Sequence, residues 1–464
     1  MHSIVRHFFF ILSLTAWGVS LTPLGAVVYE VGPGKSLSEV EEVPWEALNA
    51  GDAVKIHWRD KAYHSKWVIC RQGEKGRPIV VQGVPDAKGR LPMIDGRNAV
   101  TRKQLNFWSE TRAVIKIGGA NKPADTIPQH IVLENLEIRS GRPPFVFTGR
   151  SGQAAYDKNA AAIFIEKGEH IIIRNCVMHD SGNGFFTSYQ AKDILVEKCH
   201  IYDNGIEGSI YEHNSYTAAQ GITFQFNHYG PLRAGCPGNN LKDRSAGLVV
   251  RYNWIEGGNR QLDLVDATDS PILRDDPRYR ATWVYGNLLL EREDDGNSQI
   301  VHYGGDSGKT AWYRQGTLYF YNNTVVSTRS SPTMLFRLSA GSEQVDCRNN
   351  IVYVAGSGRN LAILDGRGTV ALQNCWFKSG WIAARGLLKG SISGQETCLS
   401  GEEPGFVNLT QQDYRLKSGA ATATAGAVWP KGAHTLDMEY LPHQKACELS
   451  VEPSLFIGAK PSVK

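Results

Sequence analysis

"LVVRYNWIEGG", Leu248 to Gly258, alternates apolar and polar residues, reaches an asparagine at Asn253, resumes with apolar residues and ends on two glycines. The same order recurs as "IVLENLEI" (Asn135), "IIIRNCVMHDSG" (Asn175), "ILVEKCHIYDNG" (Lys198) and "ITFQFNHYG" (Asn227). It continues as "WVYGNLLLE" (Asn287), "LYFYNNTVV" (Asn323), "VDCRNNIVYVAG" (Asn350) and "ALQNCWF" (Asn374). Neighbouring copies lie about 23 to 40 residues apart. A variable period of this size, with strand-like alternation, indicates a solenoid whose coils stack because none can bury its inner face alone. A propeller or sandwich would show closely spaced hairpin signals, and few occur here. The reading is therefore all-β: a right-handed parallel β-helix with a short N-terminal capping helix and long loop insertions on one face. Asparagine suits each coil because it tolerates the left-handed backbone of a sharp corner. Its amide can also hydrogen-bond to the coils above and below.

The flanks carry a resemblance. "VYEVGPGKSLSEVEEVPWEALNAGDAVKIHWRDKAY" (Val28 to Tyr63) resembles the opening of secreted pectate-lyase-like β-helices, where a short helix caps the first coil. "PIVVQGVPDAKGRLPMIDG" (Pro78 to Gly96) is similar to their first full coil, and "PGFVNLTQQDYRLKSGA" (Pro404 to Ala420) to their closing coil. The superfamily holds lyases, hydrolases, epimerases and non-catalytic adhesins, so the resemblance implies the fold more narrowly than the activity.

Length alone would allow two or three domains among 464 residues, but the repeat runs through nearly all of them. One domain is expected over 27–464: an opening segment to about 100, coils over about 101–400 and a closing segment after that. Residues 1–26 read as a cleaved leader, with Arg6 and His7 before the apolar run Phe8 to Leu14, and Leu24-Gly25-Ala26 at its end. That run is too short to span a bilayer, so a secreted or periplasmic monomer with no membrane span is expected. A net charge of +4 disfavours a nucleic-acid binder and allows an acidic ligand through a local patch. Eight cysteines without a CxxC pair argue against a zinc site. Cys176 and Cys199 should stack in adjacent coils, as a disulfide or as buried thiols.

A solenoid can be read as a grid. The strands "SIYEH", "NLKDR", "QLDLVD" and "QIVHY" begin at Ser209, Asn240, Gln261 and Gln299. With Ile210, Leu241, Leu262 and Ile300 facing inward, Tyr211, Lys242, Asp263 and Val301 form an outward column. His213, Arg244, Val265 and Tyr303 lie two residues further on. Tyr211, His213, Lys242, Arg244 and Asp263 then converge on one face. Insertions at 141–159, 230–238, 268–280 and 291–297 should wall a cleft. Tyr156, Tyr216, Tyr229, Trp312 and Tyr313 are candidates to stack on sugars.

Such a cluster suits β-elimination of a uronate polymer. Arg, Lys or Ca²⁺ neutralises the carboxylate, a base takes the α-proton, and an acid meets the leaving oxygen. Lys242 and Arg244 fit the first two roles, and Tyr211 or His213 the third. Asp263, Arg260, Tyr216, Asn227 and Tyr303 are the expected substrate-binding residues. Asp263 and Asp266 are the residues that would hold Ca²⁺. The Lys and Arg on neighbouring turns resemble the arrangement in alginate- and chondroitin-type β-helix lyases. Two alternatives stand beside this one. Asp243, Asp263 and Asp266 could serve an inverting glycoside hydrolase, or the chain could be a polysaccharide-binding adhesin.

Overall fold

The computed structural model describes residues 25–449 and 456–461. The expected leader lies outside the described residues except for Gly25 and Ala26. From Val28 onward the chain is a parallel β-helix whose coils share one contiguous apolar interior running from Val31 to Phe377. Among the described residues no helix is long and apolar enough to cross a membrane.

Three stacks of parallel strands wrap that interior. In the first, each coil sends one side chain inward in strict register: Leu133, Ile173, Val196, Phe224, Val250, Val284, Phe320, Cys347 and Leu372. The second stack is the eleven-stranded sheet that follows the corner of each coil. The third carries the residues of interest. Its strands are β1 (Ala113–Ile117), the first halves of β2 (Ala161–Arg174) and β3 (Asn183–Glu197), whose second halves run on into the first stack, β4 (Ser215–Thr217) and β5 (Leu241–Asp243). It continues through β6 (Leu262–Leu264), β7 (Gln299–Tyr303), β8 (Thr333–Leu338) and β9 (Leu361–Gly366).

The corner divides between two successive positions the work expected of one asparagine. The turning residue has positive φ: Asn135, Asn175, Lys198, Phe226, Tyr252, Gly286, Asn322, Asn349 and Asn374. The next residue points inward and forms the ladder: Cys176, Cys199, Asn227, Asn253, Asn287, Asn323, Asn350 and Cys375, all fully buried. Each ladder amide donates to the next: Asn227 to Asn253 at 3.0 Å, Asn253 to Asn287 at 3.0 Å, Asn287 to Asn323 at 2.9 Å and Asn323 to Asn350 at 3.1 Å. Each acceptor oxygen also takes the backbone N–H of the coil before it, as Asn253 does from Asn227 at 3.0 Å. Asn227, expected to bind substrate, is therefore a fully buried rung of this ladder. Thiols extend the column at both ends, and all eight cysteines are free, so Cys176 and Cys199 form no disulfide.

The ends differ from expectation in kind. The N-terminal cap is two single turns of 3-10 helix, Val40–Glu42 and Trp45–Ala47, rather than one helix. Pro44 separates them because the residue before a proline avoids helical backbone. Trp45 stacks on Trp67 at 4.7 Å and closes the interior there. The segment expected as a closing coil is an antiparallel hairpin, Phe406–Asn408 with Asp413–Leu416. Tyr414 and Tyr440 of the closing segment cover Trp254 on the outside of the stack. The insertions also divide: 230–238 and 291–297 together line a hollow of about 370 Å³ of their own.

The ladder predicts unequal losses. Asn253→Ala strips hydrogen bonds from Phe224 and Asn227 in the coil before it and from Asn287 in the coil after it. At about 1–3 kcal/mol for each buried group left bare, a loss of roughly 3 kcal/mol or more is expected. Asn175→Ala changes a turning residue and removes only an exposed hydrogen bond to Asn135 at 2.6 Å, and should cost about 1 kcal/mol. Denaturant unfolding of both variants checks the order, and equal losses would contradict it.

Candidate active site

Strand pairing sets the outward column of the third stack. Phe164 aligns with Phe186, Phe186 with Tyr216, Tyr216 with Lys242, Lys242 with Asp263, Asp263 with His302, and His302 with Arg337. Lys242 and Asp263 stand where the sequence predicts. Tyr216 takes the place expected of Tyr211, and His302 that of Val301.

Both shifts have physical causes. The strand before β5 is Ser215–Thr217, not "SIYEH", and its inward positions hold Ser215 and Thr217. They are satisfied inside by the Tyr229 hydroxyl at 3.0 Å and Asp243 at 2.7 Å, so no apolar pattern marks them. Ile210 and Tyr211 lie instead in the exposed loop before it. In β7, Ile300 and Val301 are both buried, and Val301 is the one that faces Leu262. The same one-residue slip turns Tyr303 inward against Leu264, fully buried, so it cannot touch a substrate. Of the aromatic candidates, Tyr156, Tyr229 and Tyr313 are packed away, while Tyr216 stays in the cleft.

Lys242 is the centre of the cluster. Its ammonium donates to Asp263 and to Asp306, each at 2.6 Å. Burial alone would lower its pKa, but the two carboxylates outweigh that and hold it above its ordinary value. It is therefore a fixed cation, and the role of base expected for it passes elsewhere. Asp263 is completed by His302 at 2.7 Å, Asn239 at 2.9 Å and Arg260 at 3.5 Å. Burial would raise its pKa, but Lys242, His302 and Arg260 keep it well below the carboxylate range.

Arg244 reaches the same place from two residues on. Its Nε donates to the Tyr216 hydroxyl oxygen at 2.9 Å, and its Nη atoms grip Asp306 at 3.1 Å each. Its remaining bond is to the Asp266 backbone oxygen. Burial works against its charge, but Tyr216 and Asp306 raise its pKa overall. A lysine has three N–H groups and an arginine five. Each cation thus keeps one N–H for a ligand.

His213 comes from the loop before β4 and is buried. The backbone N–H of Asn239 donates to its Nδ1 at 2.9 Å, so in the neutral ring the proton sits on Nε2. Burial, then Lys242, pushes its pKa down to about 3. The ring is a neutral N–H donor. It cannot act as a base through either nitrogen, and giving up its last proton is too costly for it to serve as the acid.

Asp306 lies in the loop after β7, and no pattern in "HYGGDSG" foretold its role. Asp266 builds that loop: its carboxylate accepts the Asp306 N–H at 2.8 Å and the Ser307 N–H and hydroxyl. Asp243 is fully buried against Arg314 at 3.1 Å. The acids proposed for Ca²⁺ are thus committed: Asp263 to Lys242, Asn239 and His302, and Asp266 to loop donors. Among the described residues no three His, Cys, Asp or Glu side chains gather as a metal would require. The residues do not fit the ion, and no step is derived through it.

Tyr211, His213, Tyr216, Lys242, Arg244 and Asp306 line a hollow of about 270 Å³. Lys242, Arg244 and Arg260 stand against the carboxylates of Asp263 and Asp306, and the Asp266 carboxylate lies 3.7 Å from Arg244, so three cations face three carboxylates. Among the acids of this face, Asp263 and Asp306 are both held below the ordinary carboxylate range.

Residues 94–272 match the family model described as right handed beta helix region. No curated protein matches the sequence. Among solved structures, the chain is similar to an alginate lyase from Paenibacillus sp., at 9% identity and a TM-score of 0.43, over 75% of this chain and 93% of that one. It is similar to a pectate lyase at 10% identity and a TM-score of 0.49, over 95% and 98%. It is also similar to a lacto-N-biosidase from Eubacterium ramulus at 12% identity and a TM-score of 0.46, over 80% and 67%.

Asp306 gives a pH test. Burial would raise its pKa, but Lys242 and Arg244 hold it below the ordinary value. Its stabilising contribution is therefore present above the unfolded carboxylate pKa of about 4 and is lost as pH falls through the lower folded value. Asp306→Asn should lower stability near neutral pH by on the order of 1 kcal/mol, allowing for its partial exposure, and should flatten the acid limb. Unfolding followed across acid pH checks this, and an unchanged acid limb would contradict the ion-pair account.

Proposed function

We propose that this protein is a secreted enzyme that cleaves a uronate-containing polysaccharide by β-elimination in the Tyr216–Lys242–Arg244 cleft. The observation that carries the proposal is two fixed cations, each with an N–H to spare, beside a phenol and a neutral imidazole N–H. An inverting hydrolase needs one carboxylic acid kept protonated, whereas Asp263 and Asp306, the two acids paired with Lys242, are held ionised instead. An adhesin has no need of a buried cationic cluster in a hollow.

Lys242 and Arg244 hold the uronate carboxylate and offset the charge that spreads onto it as the neighbouring C–H bond breaks. His213 donates its Nε2–H to the same developing charge. The Tyr216 oxygen, as the phenolate, takes the proton. Arg244 Nε donates to that oxygen at 2.9 Å and holds it in place. The C–H electron pair forms the double bond, the bond to the glycosidic oxygen breaks, and Tyr216 returns its proton to that oxygen. Atoms and charge balance without a further reactant.

Incubation with a panel of uronate polymers should give the ultraviolet absorbance of an unsaturated sugar on at least one. New reducing ends without that absorbance would favour hydrolysis, and binding without either would favour an adhesin. Tyr216→Phe should lose roughly a hundredfold or more in rate while keeping the fold. Lys242→Ala should lose as much rate but also stability, because it strips a buried carboxylate of its main cation. Lys192→Ala, on a different face, should be silent. Full activity in Tyr216→Phe would overturn the assignment of the proton-transfer group.

A further inference from the structure

A second hollow, of about 260 Å³, shares Phe186, Tyr216 and Arg244 with the first. Those three residues form the wall between them. Drug-sized ligands occupy pockets of roughly 300 Å³ or more, so each hollow is suited to a single sugar ring. The Tyr216–Arg244 wall then falls at the bond between two consecutive sugars.

The second hollow has its own cation, Arg112. Among the described residues it is the one partly buried arginine whose guanidinium has no hydrogen bond and no ion pair. Its Nε is buried and unpartnered. Arg112 sits over the rings of Phe164 at 5.3 Å and Phe186 at 5.0 Å, which fix it without satisfying its donors. Of the nearby carboxylates, Asp157 is engaged by Thr111 at 2.7 Å and Glu166 by Lys116 at 2.5 Å, while Asp269 lines the hollow without an ion pair to Arg112. A desolvated guanidinium with unused N–H groups is costly unless something anionic completes it. Phe164, Phe186 and Tyr216 succeed one another along the outward column, with edge-to-face spacings of 5.0 Å and 5.3 Å. They make an aromatic floor leading from Arg112 to Lys242.

We propose that the Arg112 hollow is a second subsite, which takes the anionic group of the sugar next to the one held by Lys242 and Arg244. The substrate then carries negative charge on consecutive sugars, and its chain runs along the solenoid axis. This assignment rests on the cleft being the site of cleavage.

The test is binding, not turnover. Calorimetry would compare saturated trisaccharides of galacturonate, mannuronate and guluronate, the carboxyl-reduced form of each, and a chondroitin sulfate tetrasaccharide with its desulfated form. Wild type should bind at least one anionic oligosaccharide. Arg112→Ala should weaken that binding tenfold or more with an unchanged melting temperature, and Arg112→Lys should restore part of it. Should Arg112→Ala unfold, Arg112→Gln keeps the side-chain stem and reads the same loss. The carboxyl-reduced forms should bind weakly and be indifferent to Arg112. Arg112-dependent binding to the chondroitin sulfate tetrasaccharide that its desulfated form lacks would assign the group as a sulfate. Equal affinity in wild type and Arg112→Ala, or no binding of any anionic oligosaccharide by wild type, would overturn the proposal. Arg112-dependent binding without elimination would sink the lyase reading and leave the subsite standing. Elimination with affinity indifferent to Arg112 would do the reverse.

Discussion

Parallel strands in register stand about 4.8 Å apart, and everything distinctive about this molecule follows from that spacing. One outward residue per coil becomes a column in which each side chain meets the next. Phe164, Phe186, Tyr216, Lys242, Asp263 and His302 are far apart in sequence and adjacent in space for that reason alone. The register holds because the interior cannot slip: a one-residue shift would drive Leu241 and Leu262 out and Lys242 and Asp263 in. The buried asparagine ladder pins it further, since each amide bonds to both neighbouring coils.

The charged cluster is stable only as a whole. Lys242 and Asp263 are largely removed from water, at 8% and 1% exposure. Burying either alone would cost several kcal/mol. Each finds several partners, and the loop that brings Asp306 is itself tied down by the buried Asp266. The site therefore depends on an apparently structural acid, and on a backbone amide at Asn239 that fixes the His213 proton. Positioning of this kind gives charges that need not reorganise when a substrate arrives.

Much of this was legible in the sequence and some was not. The recurring asparagines revealed the solenoid, and "LKD" beside "LDL" placed Lys242 next to Asp263, because their flanking leucines leave no doubt about which side is inner. The reading failed where the inner face is polar or ambiguous. Ser215 and Thr217 turn hydroxyls inward, so the strand carrying Tyr216 has no hydrophobic signal. Ile300 and Val301 are interchangeable to a pattern, so His302 was hidden by one residue. The corner and the ladder looked like one asparagine because "NN" and "YN" pairs place the two tasks side by side. Asp306 sits in a loop and Arg112 at the end of a 3-10 turn, positions whose neighbours are set only by the fold.

The central claim is that the two cations and Tyr216 hold an acidic sugar in this cleft. Its most direct test is the structure of the Tyr216→Phe variant with an oligosaccharide of the best polymer bound. The account predicts one sugar carboxylate on the free N–H groups of Lys242 and Arg244, within hydrogen-bond distance of His213 Nε2. A sugar bound instead in the hollow beside Asp294 and Asp295, with Lys242 and Arg244 untouched, would contradict it.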